Sequence, residues 1–180
     1  MIDMSISPRF ARVAASLGIV WLTACHPSVP QPGPRPAQQP GRPPAQVMFV
    51  CEHGAAKSVV ATAYFNKLAG ERGLDVRAIA RGADPQDQPS VSAAQGLRAD
   101  GFLPSGDLPR PIGADELRRS ARVVAFDCGH PTMKALRGMA ACWDDVPATG
   151  DDYARARDVI RAHVAAMIEE LLARRGGASP

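Results

Sequence analysis

Val47-Met48-Phe49-Val50-Cys51-Glu52-His53-Gly54-Ala55-Ala56-Lys57-Ser58 is the stretch from which the fold is read. Four apolar residues run into a cysteine. A loop of mostly small residues follows, then a lysine and a helical pattern. The pattern predicts a strand, a tight turn and a helix N-terminus, with a thiol at the junction. A thiol in that place faces unpaired backbone N–H groups and the positive end of the helix dipole, which favours the thiolate. The same N–H groups can hold a tetrahedral oxyanion.

Working outward, residues 47–50 read as a short buried parallel strand. Val59, Val60, Ala63, Tyr64 and Leu68 recur on one broad face and predict a helix over 58–68, stopped by Gly70 and Gly73. Residues 74–80 alternate and predict a second strand. A helix is expected over 90–99 and a short one over 114–119. The run 122–127 predicts a third strand ending at Cys128, and 140–143 a brief fourth. Between them, 129–138 reads as a turn and short helix. The last helix carries Tyr153, Ala156, Ile160, Val164, Met167 and Leu171 at helical spacing. Thr149 is its expected N-cap, with Asp152 three residues on. This order implies an α/β domain of three layers, αβα, around a short four-stranded parallel sheet. Such folds place their sites at the C-terminal ends of strands, where Cys51 and Cys128 both fall.

The formal charge of +3 is scattered, without a dense basic block, so no nucleic-acid partner is implied. At the N-terminus, Arg9 and Arg12 precede a short apolar stretch over 13–22. That stretch is too short to span a bilayer, which takes about 20 residues. Leu22-Thr23-Ala24-Cys25 then resembles the lipobox of bacterial lipoproteins. The resemblance implies a signal peptide over 1–24, lipidation of Cys25, a membrane partner through that anchor, and export to the periplasm or cell exterior. An ordinary secretory signal is the alternative. Proline dominates the segment up to residue 46, which reads as an extended tether. The globular domain is expected over 47–175, with a tail over 176–180.

The motif Cys51-x5-Lys57-Ser58 after an apolar strand resembles the low-molecular-weight protein tyrosine phosphatases and the related thioredoxin-coupled arsenate reductases, whose signature is Cys-x5-Arg-Ser. The likeness continues at Ala80-Arg81-Gly82-Ala83, at the strand ending in Cys128, and at Trp143-Asp144-Asp145-Val146-Pro147 before the long helix. It implies hydrolysis of a phosphorylated substrate through a cysteinyl-phosphate, with no cofactor and no metal. Cys51 is then the nucleophile, and the backbone of Glu52, His53, Gly54, Ala55, Ala56, Lys57 and Ser58 is the phosphate cradle. Ser58 steadies the thiolate, and Asp145 or Asp144 is the acid, with Asp145 preferred for its closeness to Pro147.

Two departures stand out. Lys57 replaces the family arginine, a point charge in place of a fork. Glu52 adds a carboxylate beside an anion site. Two alternatives therefore accompany the phosphatase: arsenate reduction through Cys51 and a disulfide relay, and a non-catalytic oxyanion-binding module. Cys128 and Cys142 are expected as buried structural thiols, with a mutual disulfide as the other option. Cys51-x-His53 and Cys128-x-His130 do not match a structural zinc spacing.

Overall fold

A computed structural model describes residues 45–103 and 106–176. The expected signal peptide, Cys25 and the tether up to residue 44 lie outside the described residues. Among the described residues, no helix is long and apolar enough to cross a membrane.

The elements follow in the order β1 (Ala45–Cys51), α1 (Lys57–Glu71), β2 (Val76–Gly82), α2 (Val91–Ala99), α3 (Ala114–Arg119), β3 (Ser120–Ala125), a 3-10 turn (Pro131–Leu136), β4 (Ala141–Cys142) and α4 (Tyr153–Gly176). All strand pairings are parallel, and the sheet order is β2-β1-β3-β4. β1 is central, so its residues from Val47 to Cys51 are buried on both faces. That explains the unbroken apolar run in the sequence.

Alternation along β1 divides the core. Val47, Phe49 and Cys51 face α1, α2 and α4, where Phe65, Ile160, Val164 and Trp143 pack with them. Met48 and Val50 face the other way, onto Met133 and Leu136 of the 3-10 turn, with Leu117 of α3 alongside. The second outer layer is therefore much thinner than the first.

Several details differ from the sequence reading, among them β3, expected over 122–127 and found over Ser120–Ala125. The strand β1 begins at Ala45, so the last two residues assigned to the tether belong to the sheet. Gln46 pairs with Arg77, and its side chain donates to Ser120 Oγ at 3.0 Å. Leu74 is not in β2. Its N–H bonds Ala69 O at 2.9 Å while the Gly73 N–H bonds Gly70 O at 3.2 Å, which closes α1 in a Schellman turn. Gly73 takes φ +65° to make that turn. Finally, the cap of α4 is Asp152, whose Oδ1 accepts the Arg155 N–H at 2.9 Å. Thr149 is instead buried, with its hydroxyl 3.3 Å from Ser92 Oγ.

Candidate active site

Cys51 ends the central strand with its thiol free and buried. Its Sγ lies 3.1 Å from Ser58 Oγ, and Ser58 is fully buried in the first turn of α1. The hydroxyl can donate to a thiolate at that distance, which is the role the family resemblance implies for Ser58.

The loop between them is shaped from outside. Carbonyls of Cys51, Glu52, His53 and Ala55 accept N–H groups of Ala83, Asp84, Gln86 and Ser90 at 2.8–3.3 Å. A trans peptide points its C=O and the next N–H in opposite directions. The N–H groups of Glu52, His53, Gly54 and Ala56 therefore turn away from the 83–90 segment, toward the loop interior. Close approach at the back requires two glycines. Gly54 has φ +63°, and a Cβ on it would sit 2.6 Å from Gly82 N; a Cβ on Gly82 would sit 2.9 Å from Gly54 N. The helix start adds more donors. The N-cap position of α1 is Ala56, which has no oxygen to offer, and no side chain caps this end. The first N–H groups of α1 are thus left for a ligand. Loop and helix start together leave a set of backbone donors at the C-terminal end of β1, where the family resemblance implies a phosphate cradle.

Lys57 belongs to this cradle by sequence, yet its ammonium is engaged. Its side chain is 11% exposed and donates to Asp127 Oδ1 at 2.8 Å and Oδ2 at 2.9 Å. Asp127 follows β3 at φ 56°, a left-handed conformation uncommon outside glycine. Sequence reasoning missed this residue as a site group. An acid at the C-terminal end of the strand beside the cysteine was the available signal.

Glu52 turns to the rim. Its carboxylate lies 3.7 Å from His53 Nε2 and 3.5 Å from His130 Nδ1, so it links the cysteine loop to the turn after β3. His53 also lies 3.2 Å from the Asp84 carbonyl through Nδ1. The two candidate acids part company. Asp144 Oδ1 accepts the Cys128 N–H at 2.8 Å, next to Asp127. Both oxygens of Asp145 lie 2.9 Å from His163 Nε2 on α4, and the His163 ring stacks on Trp143 at 4.7 Å. Asp144 is thus tied to the strand end that carries the site, and Asp145 to the long helix.

Cys128 and Cys142 are bonded to each other, with Cα atoms 6.0 Å apart. The expectation of two buried thiols is corrected: the β3 and β4 ends run side by side, so both cysteines reach the surface edge there, Cys128 half-buried and Cys142 exposed. On the other side of β1, Arg81 at the end of β2 forks onto Glu116 of α3 at 2.7 and 2.5 Å. Its hydrogen bond holds the Glu116 carboxyl below the usual range, against a lesser upward push from burial. This pair braces the strand end behind the loop. A groove of about 890 Å³ along β2, α1 and α2 touches the loop at Gly54 but does not include Cys51.

The family model described as low molecular weight phosphotyrosine protein phosphatase matches residues 46–146. Among solved structures, the chain is similar to YfkJ from Bacillus subtilis, at 20% identity and TM-score 0.58, covering 79% of this chain and 100% of that one. It is similar to the YwlE arginine phosphatase from Geobacillus stearothermophilus, at 18% identity and TM-score 0.59, covering 76% and 99%. A thioredoxin-dependent arsenate reductase from Corynebacterium glutamicum shares 21% identity at TM-score 0.57, covering 74% of this chain and 64% of that one. At these identities the likeness is one of fold. No curated protein matches the chain by sequence.

Proposed function

The chain belongs to the low molecular weight phosphotyrosine protein phosphatase family, and from that premise we propose that it hydrolyses phosphate monoesters through Cys51. The observation that carries the reading is the buried Cys51 thiol, 3.1 Å from Ser58 Oγ, at the mouth of an uncapped helix. The Cys51 thiolate attacks phosphorus. An S–P bond forms as the P–O bond to the leaving group breaks, giving a cysteinyl-phosphate. Backbone N–H groups of the 52–58 loop hold the equatorial oxygens as charge builds on them. Lys57, steadied by Asp127, contributes its remaining N–H. We assign proton donation to Asp144, because Asp145 is bound to His163. Asp144 protonates the leaving oxygen, then takes a proton from the water that splits the S–P bond.

Hydrolysis of an aryl phosphate by the purified chain tests this. Turnover lost in Cys51→Ser and strongly reduced in Asp144→Asn is the expected result. Phosphate binding with no turnover in the unaltered chain would leave an oxyanion-binding module in its place. The pairing of Cys128 with Cys142 favours one second reading, arsenate reduction. Arsenate-dependent loss of the Cys51 thiol, followed by counting free thiols, separates it from hydrolysis. Export and anchoring through Cys25 are part of the proposal, and fatty-acid labelling that disappears in Cys25→Ala tests them.

A further inference from the structure

Cys128 and Cys142 take no part in the hydrolysis proposed above. Their bridge ties the end of β3 to β4, and Asp144 follows two residues later. The two sulfur atoms and one Asp144 carboxylate oxygen all lie within 4.8 Å of one another. The carboxylate is already oriented, because its Oδ1 accepts the Cys128 N–H at 2.8 Å. Hydrogen bonds of this kind behind a ligand are what hold metal sites in shape.

We propose that these three side chains become a metal site when the disulfide opens, taking a soft divalent cation such as zinc, with water as the fourth ligand. Thiolates bind zinc at about 2.3 Å and carboxylates at about 2.1 Å, so donors around a tetrahedral ion stand about 3.5–3.8 Å apart. The sulfur atoms would part to that distance, which Cα atoms 6.0 Å apart allow by side-chain rotation alone. Asp144 already lies within about an ångström of the required spacing. Opening needs a dithiol. It delivers two electrons and two protons, leaves as its own disulfide, and yields two cysteine thiols. Binding then takes up one zinc ion and releases both thiol protons. The metal and the disulfide are alternative clamps on the same two loops, but the metal-bound form holds Asp144 as a ligand and so lacks the proton donor assigned above, whereas the disulfide form keeps it.

The test uses the full chain with Cys25→Ser and Cys51→Ser, which leaves Cys128 and Cys142 as its thiols. A phosphine is the reductant, because a dithiol would itself chelate the metal; the phosphine takes up oxygen from water as the bridge gains two protons. Cobalt(II) is the optical probe and zinc its competitor. The reduced chain is expected to bind one equivalent of cobalt with a thiolate charge-transfer band, lost on adding zinc, and zinc is expected to raise its Tm. The oxidised chain gives no band, and Asp144→Asn weakens binding about tenfold or more. No band and no zinc-dependent Tm shift in a reduced chain with a native circular dichroism spectrum would overturn the inference. Equal binding by the oxidised chain, or unchanged affinity in Asp144→Asn, would do so as well.

Discussion

Lys57→Arg is the most informative single change. The lysine ammonium has three N–H donors. Two are spent on Asp127, at 2.8 and 2.9 Å, which leaves one for a bound oxyanion. A guanidinium has five donors in a fixed fork. It can keep two on Asp127 and present two to the oxyanion. The one additional charge-assisted bond is worth about 1.5–3 kcal/mol. Against it stands crowding, because Lys57 is only 9% exposed and the larger head group must fit the same slot; that offsets about 1 kcal/mol. The net gain of about 0.5–2 kcal/mol corresponds to about 2- to 30-fold tighter phosphate binding. Titration calorimetry with inorganic phosphate measures this directly, and kcat/KM on an aryl phosphate should rise in parallel. If Lys57→Arg folds with an unchanged Tm yet binds phosphate no better, the reasoning that Asp127 limits the lysine is refuted.

Three further outcomes are expected. Gly82→Ala puts a Cβ 2.9 Å from Gly54 N, backbone against backbone, so the cysteine loop must move; a loss of about 1–3 kcal/mol in urea unfolding should accompany loss of phosphate binding. Cys142→Ser opens a loop of 14 residues and should cost about 3 kcal/mol, a difference that vanishes when both proteins are compared under a phosphine. Asp100 joins α1, α2 and α4 by accepting from Tyr64 and Tyr153 hydroxyls at 2.8 and 2.7 Å and from Arg157 at 3.0 Å. Burial pushes its carboxyl up, but the three hydrogen bonds together outweigh burial and hold it below the ordinary value of 3.8. Its contribution to stability is thus complete above that value and is lost as pH falls through it to the lower folded value. Asp100→Asn should flatten the acid side of a pH–stability curve; an unchanged acid limb would remove Asp100 from that role. On the alkaline side, burial and then the bond to Asp100 push Tyr64 up to about 12, so stability should fall between pH 10 and 12.

Most of the fold was legible because its signals are local. Each strand is a short apolar or alternating run, and each helix has its own periodicity, so the order of elements and the parallel sheet followed. The errors came at ends, where one residue type serves two purposes. Leu74 looks like a strand residue by apolarity, but the Gly73 turn uses it to seal α1 against the core. Thr149 looks like a cap by residue type, but its hydroxyl is buried against Ser92 while Asp152 takes the cap.

In the site, the line falls in the same way. Residues 47–58 by themselves determined a strand, a glycine-containing turn and an uncapped helix start behind one thiol, because those depend on neighbours along the chain. The partners of its charged groups depended on contacts across 70 residues for Lys57 and Asp127, 16 for Cys128 and Asp144, and 18 for Asp145 and His163. No local pattern encodes which of two adjacent, exposed aspartates reaches the end of β3 and which reaches α4. Only the sheet, by laying the end of β3 between β1 and β4, decided that Lys57 is shared with Asp127, that Cys128 meets Cys142, and that Asp144 rather than Asp145 stands with them.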